Sequence, residues 1–213
     1  MVRRYALPLA LLLIGLAAPA HAAATIESVQ GYDLLIPDGW ITVDLDDTGT
    51  MLFPTDEERY GAETEVVVMP PVKRDGRSDQ ELIDLMLEKR LFGGELFPIG
   101  ELVHDEVEGV PVSHREYIVN DHGANPLRFL AVAVLPDRNG DPFIISYEGI
   151  HETGFFWASY VAGLSMGAIH SDVSNIDLAN FELPEDIHAL AGEDEETPEE
   201  GGAYAEGWEQ LEV

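Results

Sequence analysis

The sequence predicts an α+β fold, an antiparallel β-sheet meander with two main helices packed on it. Three observations lead there. Short alternating or β-branched runs are separated by clusters of Pro, Gly, Asn and Asp, the mark of strands joined by turns. Two longer segments repeat apolar residues at helical spacing. The order is strands, a helix, more strands and a final helix, which suits helices laid on an antiparallel sheet.

The elements follow in turn. Residues 23–30 read as a short lead-in. Tyr32 to Ile36 is an apolar run stopped by Pro37-Asp38-Gly39, where Pro presets φ and Gly accepts a positive φ. Trp40 to Leu45 alternates loosely, Asp46-Asp47-Thr48-Gly49 turns the chain, and Thr50 to Phe53 resumes the strand. Thr64 to Met69 is β-branched and ends at Pro70-Pro71. Ser78 and Glu81 then fit a capping box, each satisfying the other's free amide. The stripe Leu82, Ile83, Leu85, Met86, Leu87, Leu91 and Phe92 predicts a helix that stops at Gly93-Gly94.

Leu102 to Val107 and Val110 to Val119 alternate around Glu108-Gly109. Asn120 to Gly123 forms the next turn. Leu127 to Leu135 is nearly continuous in apolar residues, as a central strand is. Asp137-Arg138-Asn139-Gly140-Asp141 makes a hairpin turn, and Phe143 to Gly149 returns. Glu152 to Ile169 reads as the last helix, with Thr153 as its cap.

Several of these segments carry a resemblance. The opening Gly31-Tyr-Asp-Leu-Leu-Ile-Pro-Asp-Gly-Trp40 strand and turn, the mid-chain helix, the Val107-Glu-Gly-Val-Pro-Val-Ser-His-Arg-Glu-Tyr117 stretch and the terminal helix with Phe155-Phe156 resemble the PsbP-like superfamily over about residues 31–170. That superfamily includes a photosystem extrinsic protein, a Ran-binding import factor and exported bacterial DcrB-type proteins. The resemblance implies an α/β/α sandwich and a non-catalytic assembly or binding module. It carries over no catalytic residue and no cofactor.

The N-terminus reads as an export signal. Arg3 and Arg4 precede an apolar stretch from Tyr5 to Ala18, and Ala20-His21-Ala22 suits signal peptidase. Residues 1–22 are therefore expected to be removed, and the mature chain to be periplasmic or secreted. About 190 residues remain, enough to bury roughly 70% of the unfolded chain's surface in one domain. The chain has no cysteine, so neither disulfides nor thiol chemistry enter.

Charge narrows the function further. The formal net charge is −30. The leader holds two of the eleven basic residues and no acid, so the mature chain stands at −32. Such a chain repels nucleic acid and anionic lipid. Two readings fit the charge. One is adaptation to high salt, where repulsion is screened to about 3 Å at 1 M. The other is a cation-binding or basic-partner surface. Residues 185–213 concentrate eleven acids with no Lys or Arg, and read as a disordered acidic tail after a domain of residues 23–184. Tyr204, Trp208 and Leu211 are its sparse apolar points.

Four sets of residues invite a chemical reading. Gly163-Leu164-Ser165-Met166-Gly167 matches the nucleophile elbow of serine hydrolases, which needs Ser on a sharp strand-to-helix turn. Here it falls in a helix, where small residues serve close packing. His114 and Glu116 share a strand face, as do His104 and Glu106 across the 108–109 turn, a combination able to hold zinc or copper. No H-x-x-x-H spacing supports it. Residues 137–141 resemble a calcium loop but lack its length and terminal Glu. Arg115 and Arg128 are scarce cations, read as surface ion pairs or as anchors for an anion, while Trp40 and Trp157 read as core. The leading expectation is an exported, non-enzymatic binding or assembly module whose partner is a cell-envelope protein. A serine hydrolase using Ser165 and a metal- or calcium-binding protein are the alternatives.

Overall fold

The computed structural model describes residues 24–61, 63–89, 94–107, 109–120, 128–170 and Leu178. The leader, the acidic tail with the boundary at residue 184, the 121–123 turn, His122 and His188 lie outside the described residues.

The fold class is the one the sequence predicts. Among the described residues a seven-stranded, wholly antiparallel sheet is built from β3 (Trp40–Asp44), β4 (Thr50–Pro54), β5 (Glu65–Val68), β9 (Pro142–Ile150), β8 (Arg128–Pro136), β7 (Val110–Asn120) and β6 (Glu95–Val107), in that spatial order. A separate hairpin pairs β1 (Ala24–Val29) with β2 (Tyr32–Pro37). Helix α1 (Glu57–Tyr60) is one turn, α2 spans Asp79–Glu88, and α3 spans His151–His170.

The two long helices lie on opposite faces of the sheet, and β8 shows why. Ala131, Ala133 and Leu135 pack with Trp157, Val161 and Met166 of α3. Their neighbours Leu130, Val132 and Val134 pack with Leu82, Ile83 and Met86 of α2. A strand whose successive side chains point to opposite faces must be apolar throughout to serve two cores. Residues 130–135 are all buried, as is every residue of β9. The β1–β2 hairpin closes the far side of α3 with Val29, Leu34 and Ile36. This is why α3 is apolar nearly all round, since a helix clasped on both sides has no solvent face to keep polar.

Local signals account for the ends of α2. Ser78 Oγ accepts from the Glu81 amide at 3.3 Å, and Glu81 Oε2 accepts from the Ser78 amide at 2.7 Å. At the other end the expected stop at Gly93-Gly94 is too late. The helix closes at Glu88, with Lys89 as its cap. The Lys89 amide makes an i→i−3 bond to Met86 O, and its ammonium bonds the Asp47 carbonyl, which ties the last turn to the sheet. Leu91 and Phe92 lie outside the described residues.

The start of α3 also differs from the expectation. The helix begins at His151, directly after β9, so Thr153 sits in its first turn instead of capping it. Gly149 makes this abrupt join possible. A Cβ there would meet the Gly154 carbonyl carbon at 2.3 Å and the Phe155 nitrogen at 2.4 Å. The lead-in is itself a strand, because Gln30 and Gly31 adopt φ of 53° and 84°. Positive φ at both centres is the geometry of a two-residue hairpin turn.

Candidate functional surfaces

Ser165 is fully buried in the last third of α3, and its hydroxyl donates to the Val161 carbonyl at 3.0 Å. That bond is the ordinary back-bond of a helical serine. The elbow reading is corrected on two counts. No strand-to-helix turn is present at Ser165, and no substrate reaches a hydroxyl with no exposed surface.

The His/carboxylate patch is divided by the register. His104 pairs with Ser113, whereas His114 pairs with Val103. Paired residues share a face, so His104 lies on the α2 side and His114 with Glu116 on the α3 side. The expected joint site of His104, His114 and Glu116 does not assemble. The two-residue turn at 108–109 sets this register: pairing runs without irregularity from Val107 with Val110 to Val103 with His114, which puts His104 opposite Ser113.

His104 belongs to a different arrangement. Its Nδ1 lies 2.7 Å from Ser113 Oγ, and that hydroxyl donates to Asp79 Oδ2 at 2.5 Å. Arg74 Nη1 holds the other carboxylate oxygen at 2.7 Å. Burial works against the Asp79 charge, but the bonds from Ser113 and Arg74 hold its carboxyl below the usual range. The chain of bonds fastens β6 and β7 to the first turn of α2. Ser113 is buried and gives its proton to Asp79, so it is a strut and not a nucleophile.

His114 and Glu116 are half-buried. Burial pushes His114 down, partly offset by Asp105, and pushes Glu116 up. The sign follows for each. A histidine held below its ordinary pKa of about 6.5 costs nothing when neutral, and folding loses stability as pH falls from there through the lowered value. Glu116 acts the other way, costing stability as pH rises above about 4.5 through its raised value. The melting temperature of a His114→Gln variant is therefore expected to fall less than that of the parent chain between pH 7 and pH 5. Parallel curves would show that His114 takes no part.

The 137–141 segment closes a hairpin through its own hydrogen bonds. Asp137 Oδ1 accepts from the Asn139 and Asp141 amides at 2.7 and 2.9 Å, and the Asp137 amide donates to Asp141 O at 2.7 Å. Asp141 pairs with Lys73. The Asp137 carboxylate thus serves the loop and the Asp141 carboxylate ties it to Lys73, with Gly140 at φ 83° completing the turn. Among the described residues no group of three or more potential ligands is placed to hold a metal.

Trp40 and Trp157 are core, as expected. Arg115 reaches Gln80 Oε1 at 3.0 Å and lies 5.7 Å from the Tyr117 ring centre. Arg128 is not the surface ion pair expected. Its side chain is 13% exposed, with Nη2 2.6 Å from Glu63 and Nη1 3.5 Å from Glu148, itself 3% exposed. It borders a cleft of about 360 Å³ walled by Met51, Phe53 and Pro54. The sequence hid Glu63 and Glu148 as partners because both are distant in the chain and ordinary in context.

One further surface was not foreseen. Helix α3 packs on β9, β8 and β5, so β6 and β7 extend past its main contacts. On that side of β6 the side chains of Phe97, Ile99 and Val103 stand 40, 40 and 42% exposed. His114 and Glu116 of β7 adjoin them in register. The sequence reading lost the first half of β6 because Pro98 and Gly100 look like loop residues. On an edge strand a proline forfeits no ladder bond if its nitrogen faces outward.

The fold is thus an antiparallel sheet sandwiched between α2 and α3, the α/β/α architecture that the sequence resemblance implies. No family model matches the chain, and no curated protein matches it. Among solved structures it is similar to LpqN of Mycobacterium tuberculosis, described as involved in cell envelope biogenesis, at 12% identity and a TM-score of 0.43 over 69% of this chain and 90% of that one. It is also similar to the Saccharomyces cerevisiae Ran-binding protein Mog1p, at 13% identity and a TM-score of 0.45 over 70% of this chain and 94% of that one.

Proposed function

We propose that the chain is an exported, non-enzymatic binding or assembly module of the cell envelope, with an acidic surface suited to high salt. The observation that carries the binding reading is the β6–β7 side of the sheet, where three large apolar side chains in a row remain in water. Folded chains ordinarily keep such rows for a partner. The leader with its Ala20-His21-Ala22 site supports export, and no helix among the described residues is long and apolar enough to cross a membrane. The resemblance to the PsbP-like superfamily, with its non-catalytic modules, supports the same reading.

Two measurements test it. Expressed from its full sequence in a bacterial host, the chain is expected in the periplasm or medium with Ala23 as its first residue by mass spectrometry. A cytoplasmic product with residues 1–22 intact overturns the export reading. For the surface, screening of the excess carboxylates by salt is expected to raise Tm steadily from low to molar concentrations. A Tm that does not move removes the high-salt reading.

A further inference from the structure

We propose that β6 accepts an extended segment of a partner protein, alternating basic and apolar residues, as an additional strand of the sheet. The inference rests on the binding-module reading and names the surface and the partner's chemistry. Three observations converge on this strand. First, β6 is thirteen residues long and, among the described residues, forms the outer edge of the sheet and pairs with β7 alone. Its outward amides and carbonyls are a template for another chain. Second, Phe97, Ile99 and Val103 supply an exposed apolar row on one face. Side chains of an added strand fall on that face at every second residue. The half-buried His114 and Glu116 lie beside the row in register, His114 opposite Val103 and Glu116 opposite Ile99.

Third, the strand carries Glu101, Asp105 and Glu106, all exposed, and neither Lys nor Arg. That sign decides the occupant. A second copy would set these carboxylates against their own kind, and like charges directly opposite destabilise a strand pair. The chain's own C-terminal residues meet the same objection, since 171–213 contains acids and no Lys or Arg. Pro98 and the irregularity after Ile99 guard the first half of the edge, whereas Val103–Val107 pairs regularly with β7 and leaves its outer side to be read by charge. A basic and apolar segment satisfies both the carboxylates and the row. The opposite edge, β3, exposes Ile41 and Val43 but is five residues long and holds one acid, Asp44.

The test uses the mature full-length chain and a ten-residue synthetic peptide alternating Lys with Val. Binding is followed by fluorescence anisotropy, and hydrogen exchange locates it. The peptide is expected to bind and to slow exchange in β6. A Lys-Gly peptide of equal charge, and the Lys-Val peptide N-methylated at alternate amides, are expected to bind at least about tenfold more weakly, a factor worth about 1.4 kcal/mol. Ile99→Ser/Val103→Ser is expected to lose a similar factor and Ile41→Ser/Val43→Ser none. Equal binding of the N-methylated or Lys-Gly peptide overturns strand addition, as does a loss confined to the β3 variant. Slow exchange of the outward-facing β6 amides, those not bonded to β7, in the free monomer assigns the edge to the chain's own segment. A dimer in sedimentation, with β6 protected, assigns it to a second copy. Either result overturns the proposal. A cytoplasmic, unprocessed chain that still binds the peptide sinks the export reading alone. A processed chain that ignores the peptide sinks this proposal alone.

Discussion

Trp157→Ala is expected to destabilise the domain by about 4 kcal/mol, the range found when a large aromatic is cut from a packed core. The reason lies in what Trp157 joins. Its ring meets Tyr60 edge-on at 4.8 Å and Tyr160 at 5.9 Å, and Tyr60 in turn meets Trp40 at 5.8 Å. This column ties α3 to the single turn of α1 and to the β3 edge. Tyr60 also donates its hydroxyl to the Asp38 carbonyl at 3.2 Å, which anchors the Pro37-Asp38-Gly39 turn. Truncating Trp157 opens a cavity and removes two edge-to-face contacts, each worth about 1 kcal/mol beyond burial. Urea unfolding monitored by circular dichroism measures the loss. Trp157→Phe is expected to keep more than half of it, because a ring still reaches Tyr60. A deficit below about 1.5 kcal/mol for the alanine variant would mean that the core collapses into the gap and that the column is not what secures α1.

That column shows what sequence does and does not disclose. The placement of Trp40 and Trp157 in the core followed from their positions at the start of a strand and of a helix. Their connection through Tyr60 did not, because α1 is one turn long and leaves no periodicity to read. Local chemistry was legible wherever it is self-contained. The Ser78–Glu81 box, the Pro37-Asp38-Gly39 turn and the two-sided apolar run of β8 were all readable. Register was legible only beside the turn. The 108–109 turn sets His104 opposite Ser113 and not His114, whereas no local pattern reports the two residues inserted near Gly100. The order of the sheet was hidden for the same reason. Strand β5 lies against β9, nearly eighty residues away, and only the pairing of Val66 with Tyr147 and of Val68 with Ile145 decides it. The apolar row of β6 was missed because two loop-like residues, Pro98 and Gly100, sit inside a strand. They are tolerated there because, among the described residues, one side of the strand has no neighbour.

Arg128→Met is expected to cost about 3 kcal/mol, since removing one partner of an interior ion pair leaves the other charge behind. The register makes the case sharper than a single pair would. Glu65 and Glu148 are directly opposite each other on β5 and β9, an arrangement that is unfavourable between like charges. Arg128, diagonal to Glu148 on β8, reaches both Glu148 and Glu63 from the same face. The guanidinium thus bridges two carboxylates, of which Glu148 is the one shut away from water. Most of the expected cost belongs to Glu148, because Glu63 is 45% exposed and an exposed pair contributes little. Two further variants separate charge from packing. Arg128→Lys keeps the charge but cannot fork to two carboxylates, and is expected to fall between the parent and Arg128→Met. Arg128→Met/Glu148→Leu replaces the interior pair with apolar groups and is expected to return to within about 1 kcal/mol of the parent, as such replacements commonly do. Chemical denaturation of the four chains at one salt concentration decides the matter. A double variant no more stable than Arg128→Met would show that Arg128 serves the packing of the β8 end and not the charge of Glu148.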